Sequence, residues 1–454
     1  MTKNLTSGNP AKLILLFAIP LIIGNIFQQL YSMADTLIVG RTIGVNALAA
    51  VGCTGSITFF ILGFVMGMTS GLSIITAQRF GANDSDGVRK SFAVSIVISI
   101  VMAIVITVIA VPLARPFLQF LNTPAEIIEA ATGYLQIIFL GTAANIAFNL
   151  LSNIIRALGD SRTPLYFLIF ACLVNIVLDF VFILFLGLGV NGAGLATISS
   201  QLLSAVLCVV YIKKKMPVLW IRREDFHFHK DEVTKHLGTA FPMGFQMSII
   251  AIGSLILQSA LNGLGAISVA AYTAATKIDM IATMPLNSLG QTMATYSAQN
   301  YGAGEMHRIR QGVNQCVLIS VAISIVMGLM NIFLGYQLAG LFVGGGETAV
   351  LSLAQIFLRI NGCLYSILAM LFIFRFSLQG LGNSVTPTIA GVMELIMRAI
   401  GGLVLTDLFG FTGASISNPL AWIGAFVPLT IAYIMTINKL DPKQPKQIAS
   451  QANI

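Results

Sequence analysis

Charge is what this sequence has least of. Its 454 residues include 25 Lys and Arg and 17 Asp and Glu, 9% in all. A soluble chain of this length carries about 110 charged residues. Hydrophobic residues make up 56% and the mean hydropathy is +0.89. So few polar side chains cannot cover a water-exposed globule, which excludes a soluble protein. Disordered and collagen-like chains fall on the same composition. Chemistry-bearing motifs are scarce too. The five cysteines (Cys53, Cys172, Cys208, Cys316, Cys363) fall inside apolar stretches without metal-ligand spacing and read as buried free thiols. The four histidines (His227, His229, His236, His307) lie in or beside loops. No H-x-x-H, P-loop or nucleophile-elbow pattern occurs, so an enzyme has no candidate chemistry and no cofactor is called for.

What is present is long apolar runs. Crossing the hydrocarbon core takes about 20 mostly apolar residues. Twelve stretches qualify, at roughly 14–38, 50–76, 91–113, 127–155, 164–187, 191–212, 238–261, 266–297, 311–336, 349–378, 385–408 and 412–436. They are too continuously apolar for an alternating β-barrel, and lipid forces the backbone to satisfy itself, so they are helices. The expected fold is an all-α polytopic membrane protein. The polar start, Met1 to Pro10, shows no cleavable signal, and the first apolar run reads as a retained span.

The bases orient the chain. With both termini on one side, nineteen Lys and Arg face that side, from Lys3 and Lys12 to Lys439, Lys443 and Lys446; Arg41 and Arg115 alone face the other. That asymmetry predicts cytoplasmic termini in an inner (plasma) membrane and an even number of spans. The net charge of +8 is then a topology signal facing anionic lipid and needs no nucleic-acid partner.

The chain also repeats itself. Ala77-Gln78-Arg79-Phe80-Gly81-Ala82 recurs as Ala298-Gln299-Asn300-Tyr301-Gly302-Ala303, and Leu158-Gly159-Asp160-Ser161-Arg162-Thr163-Pro164 as Leu381-Gly382-Asn383-Ser384-Val385-Thr386-Pro387. Ala18-Ile19-Pro20 pairs with Ala240-Phe241-Pro242, and Ala49-Ala50 with Ala270-Ala271. Matches in order at one spacing mark a duplication. Six spans per unit make the repeats parallel, two six-helix bundles around a central cleft, the usual frame for alternating access. The expected division is an N-lobe at 1–215, a cytoplasmic linker at 216–236 with Trp220, Phe226 and Phe228 among its charges, and a C-lobe at 237–454. Pro20 and Pro242, equivalent in the two units, predict matching bends.

Eight charges lie deep within the spans, and such residues are costly and usually functional. In the first half, Asp35 and Asp179 have no intramembrane base. Asp35 ends an unusually polar run that includes Gln28 and Tyr31, and Asn175 and Asp179 are four apart on one helical face. A carboxylate without a counter-charge in low dielectric is poised to take a proton. Two carboxylates with amide and hydroxyl oxygens could alternatively hold Na⁺, and Asp35 could instead sit hydrated at the outer mouth. In the second half, acids and bases come together: Glu394 and Arg398 at i,i+4, with Arg375, Lys277, Asp279 and Arg359. A structural ion-pair network is the leading reading there, with a substrate role as the alternative.

The twelve spans in two lobes, Ala18-Ile19-Pro20, the Tyr31-x-x-x-Asp35-x-x-x-Val39-Gly40 run and the repeated Gly-(Asp/Asn)-Ser-x-Thr-Pro loops resemble the multidrug and toxic compound extrusion (MATE) family over nearly the whole chain, and within it the bacterial DinF-like branch. The resemblance implies export of cationic, amphipathic small molecules in exchange for H⁺ or Na⁺, by a transporter that works as a monomer. It carries the cation site to Asp35, Tyr134, Asn175, Asp179 and Thr197, with Na⁺ a candidate at Asp35, Asn175, Asp179 and Thr197. Cation binding would rearrange the first span near Pro20. Residues 238–261 and 349–378 hold no acid, so the C-lobe site of the family's other large bacterial branch is not expected. Two alternatives are a lipid-linked oligosaccharide flippase, which would want the cationic cleft that Lys277, Arg375 and Arg398 hint at, and a non-transporting membrane protein.

Overall fold

The computed structural model describes residues 4–227, 229–343 and 347–441. Lys3, Phe228, Lys443 and Lys446 lie outside the described residues. All regular structure among the described residues is helical. The helices follow as α1 (Pro10–Thr42), α2 (Val45–Gly81), α3 (Ser85–Phe120), α4 (Ala125–Leu140 then Thr142–Ala157), α5 (Arg162–Phe180 with a π turn, Val181–Phe185) and α6 (Gly189–Lys215). The second half repeats the order: α7 (Lys230–Gly263), α8 (Ala266–Gly302), α9 (Met306–Val343), α10 (Thr348–Cys363 then Tyr365–Gly380), α11 (Val385–Ala399 with a π turn, Ile400–Leu405, and Thr406–Phe409) and α12 (Phe411–Leu440).

Among the described residues, nine helices are long and apolar enough to cross a membrane singly, and the two segments of α4 and of α10 qualify as pairs. Helix α8 completes twelve. Lys277, Asp279 and a run of Thr and Ala keep it below the hydropathy of the others, yet its 37 residues match its repeat partner α2 in length. At about 1.5 Å per residue such a helix reaches about 55 Å, so its ends stand clear of a hydrocarbon core about 30 Å thick.

Two of the expected spans are broken helices. The runs 127–155 and 349–378 are each apolar throughout and read as single spans. The structure breaks them at Gly141 and Leu364, with bends of 46° and 53°. Helices α1 and α7 each continue through their proline, Pro20 and Pro242.

The repeated loops show how sequence starts a helix here. Gly159 and Gly382 take φ of +88° and +85°, the left-handed turn that a side chain resists. The next residue caps the following helix. Asp160 Oδ1 accepts the backbone N–H of Arg162 and Thr163, both at 3.1 Å, and Asn383 Oδ1 accepts that of Thr386 at 3.2 Å. Asp160 Oδ2 also accepts the Thr163 hydroxyl at 2.7 Å and the Tyr211 hydroxyl at 2.8 Å, which ties α5 to α6.

Within each half the same neighbours meet: α1 on α5 as α7 on α11, α2 on α3 and α4 as α8 on α9 and α10, and α5 on α6 as α11 on α12. The halves join along α2 with α7 and α8, and along α1 with α8. Small residues make this approach close. A Cβ on Gly67 would stand 2.3 Å from the Met243 carbonyl oxygen, and one on Gly71 2.5 Å from Ala240 Cα. The seam is tightest on the face that carries the N-terminus, the α6–α7 connection and the end of α12, here called the terminal face. There the two copies of the Ala-Gln-x-x-Gly-Ala motif interlock. A Cβ on Gly81 would meet the Gln299 carbonyl oxygen at 1.9 Å, and one on Gly302 the Gln78 carbonyl oxygen at 1.7 Å. Gln78 Nε2 donates to the Gly380 carbonyl at 2.9 Å, and Gln299 Nε2 to the Ala157 carbonyl at 2.7 Å. The connection between the halves folds back on the same face, through Arg79 with Glu232 and through Arg89 with Asp225 at 3.4 Å.

Candidate functional site

Two polar regions interrupt the apolar interior. The first lies wholly in the first half. Asp35 on α1 and Asp179 on α5 bring their carboxylates within reach of one another, with Tyr31 and Tyr134 close by. Asp35 is 8% exposed, and Asn175 and Asp179 are fully buried. The Tyr31 hydroxyl bonds Thr197 Oγ1 at 3.2 Å, which joins α1 to α6. Asp35, Tyr134, Asn175, Asp179 and Thr197 thus gather in one region.

This cluster is under-satisfied. Asp35 Oδ1, both oxygens of Asp179 and both polar atoms of the Asn175 amide are buried without a hydrogen-bond partner among the described residues. Buried polar groups are nearly always bonded, so orphans at this density mark a place that holds something more. Two facing carboxylates repel unless a proton or a cation lies between them. Backbone shape adds to the opening. Asp179 sits two residues before the π turn at Val181–Phe185, and such turns favour functional sites. Among the described residues no group of three or more His, Cys, Asp or Glu could hold a metal ion. The cluster's chemistry is that of two carboxylates with neutral oxygens, suited to a proton or a weakly held monovalent cation.

The second region is a cavity of about 450 Å³ between the halves, within the usual range for small-molecule sites. Pro20 and Gln28 line it from α1, and Arg375, Glu394 and Arg398 from α10 and α11. Glu394 bridges the two guanidinium groups. Arg375 Nη2 lies 2.7 Å from its Oε2, and Arg398 Nη2 3.2 Å from its Oε1. The network foreseen from the i,i+4 spacing is therefore real, and it faces the cavity. Lys277 stays apart: it is exposed and has no ion pair among the described residues. Its sequence neighbour Asp279 turns inward and accepts the Tyr365 hydroxyl at 2.6 Å, and Tyr365 in turn accepts from Asn331 Nδ2 at 2.7 Å.

Sequence reading missed three features in and behind the wall of this cavity. Tyr365 and Asn331 carry no signal, since each is a common polar residue in an apolar run. The Gln379–Gln246 bond, 2.8 Å long, joins α10 to α7 with no pattern to announce it. Arg156 is one of the nineteen bases on the terminal side; it lies in the last turn of the second segment of α4 and lines the cavity wall.

Comparison with known proteins follows the same outline. The family model MatE matches residues 20–181 and 242–404, one block in each half. The probable multidrug resistance protein YpnP of Bacillus subtilis is 31% identical over 307 residues, covering 67% of this chain and 68% of its own. The probable multidrug resistance protein YoeA of the same organism is 26% identical, covering 84% and 83%. A solved outward-facing structure of a multidrug resistance MATE transporter superposes with a TM-score of 0.88 at 24% identity, over 97% of this chain and 98% of its own. That likeness carries the fold.

Proposed function

The chain belongs to the MatE family of multidrug efflux transporters, and on that footing we propose that it exports cationic, amphipathic compounds in exchange for H⁺ or Na⁺ loaded at Asp35 and Asp179. The observation that carries the reading is the pair of facing, buried carboxylates with unbonded oxygens. Asn175, Thr197, Tyr31 and Tyr134 supply neutral oxygens around them. The central cavity receives the compound, at the seam where two halves can rock against each other.

In this reading the lobes are 1–215 and 237–454, joined by the linker 216–236, and the terminal face is cytoplasmic in the inner membrane. The interlocked Gln78 and Gln299 motifs then seal the cavity from the cytoplasm. A cation entering between Asp35 and Asp179 relieves their repulsion and draws α1 toward α5. Pro20 and Gln28 lie on α1 and line the cavity, so that movement alters the cavity wall and weakens its hold on cargo. One chain carries every part of this cycle, which fits a monomer.

The test is dye efflux from vesicles under separate proton and sodium gradients, with wild type, Asp35→Asn and Asp179→Asn. The reading expects one of the two gradients to drive efflux and each variant to abolish that coupling. Unchanged gradient-driven efflux in both variants refutes it.

A further inference from the structure

The lining of the central cavity holds three guanidinium groups, Arg156, Arg375 and Arg398, against two carboxylates, Asp279 and Glu394. Arg375 and Arg398 share Glu394, so each touches a negative charge. Arg156 does not. It stands on the wall built by the first half, where the polar lining (Asn25, Gln28, Asn149 and Asn153 among it) is neutral. No carboxylate pairs with it among the described residues. Its one side-chain hydrogen bond runs from Nη1 to Asn153 Oδ1 at 3.2 Å, and its buried Nε has no partner. The end of its own helix supplies at most about half a negative charge.

A guanidinium with open donors in a partly enclosed site is suited to gripping a carboxylate through two parallel hydrogen bonds. The opposite wall is of another kind. Tyr272, Phe372 and Trp422 stand there with Asp279, a surface that takes a flat cationic ring system. We propose that Arg156 is the anion-binding residue of this cavity, so that its preferred cargo is zwitterionic: a cationic aromatic body against the second half and a carboxylate on Arg156. The inference rests on the export reading and narrows its substrate class.

Rhodamine 110 and its methyl ester rhodamine 123 share one cationic ring system and differ in a free carboxylate. Their binding to the purified full chain is measured by fluorescence polarisation, for wild type, Arg156→Gln and Arg156→Lys, each checked for folding by thermal melt. Wild type is expected to bind the acid about tenfold more tightly than the ester. Arg156→Gln removes that ratio while ester binding holds or improves, and Arg156→Lys restores part of it. Equal wild-type affinities overturn the proposal, as does a ratio unchanged in Arg156→Gln or an equal loss of both dyes. Ester efflux in the vesicle assay distinguishes the failures: if it stays gradient-driven and sensitive to Asp35→Asn, the export reading survives the loss of this one.

Discussion

Gly81→Ala tests whether the interlocked motifs hold the terminal face shut. The new Cβ would stand 1.9 Å from the Gln299 carbonyl oxygen and 2.6 Å from its carbonyl carbon, all backbone that no rotamer can move aside. Reaching ordinary contact takes a displacement of about 1.5 Å between α2 and α8. Moving that far breaks the Gln299–Ala157 bond of 2.7 Å and strains its mate, Gln78–Gly380, of 2.9 Å. The buried Gln299 amide losing its partner costs about 1–3 kcal/mol, and the strained bond of half-buried Gln78 adds about 1 kcal/mol. The closed arrangement should therefore lose about 2–4 kcal/mol relative to one in which the faces part, a shift of about 30- to 1,000-fold. Spin labels at Lys90→Cys and Glu305→Cys, in a background without native cysteines, report the separation across the terminal face. Wild type should give mainly the short distance, and Gly81→Ala and the symmetric Gly302→Ala mainly a longer one. Gly52→Ala, whose Cβ meets nothing within 4 Å, is the control and should change nothing. A folded Gly81→Ala protein with the wild-type distance distribution would refute the latch.

Three further substitutions test the packing of charge and polarity. Glu394→Gln leaves Arg375 and Arg398 buried without a counter-charge and should cost about 3–5 kcal/mol, read as a large fall in the detergent-solubilised melting temperature. Tyr365→Phe removes the donor to Asp279 and the acceptor of Asn331; a loss of about 1–3 kcal/mol is expected in the same melt. Asp160→Ala strips the cap of α5 and its tie to Tyr211, and should cost about 2 kcal/mol while the same change at Asn383, with one capping bond, costs less.

Composition and repetition made most of the architecture legible. Long apolar runs marked all twelve spans, α8 among them although Lys277 and Asp279 dilute its hydropathy. The breaks at Gly141 and Leu364 were not legible, because a run that is apolar on both sides of a break has the same composition as a straight one. Asp35, Asn175 and Asp179 stood out as acids and amide in lipid without a base nearby. Glu394 and Arg398 were legible through their spacing on one helix. Arg375 completes their network from 19 residues away, and Tyr365 reaches Asp279 across 86 residues, which is packing information that no local pattern holds. The place of Arg156 in the cavity was not legible, because a base near the end of an apolar run looks the same whether it faces lipid headgroups or a cavity.

The two π turns sharpen the contrast between the halves. Each follows its helix directly, and each has a polar i,i+4 pair ending two residues before it: Asn175 and Asp179 in α5, Glu394 and Arg398 in α11. The second pair is closed on itself and on Arg375, and the Ser417 hydroxyl bonds the Arg398 carbonyl at 2.9 Å. The first pair is open, with every side-chain oxygen and nitrogen unbonded. The helical turn before each π turn has thus been filled in opposite ways. A buried pair that supplies its own counter-ion gains nothing from an added cation, whereas two facing carboxylates gain their whole Coulomb relief from one. If a cation drives this protein, the force of its binding must therefore enter through the first half, with the second half as the stiff partner against which α1 moves.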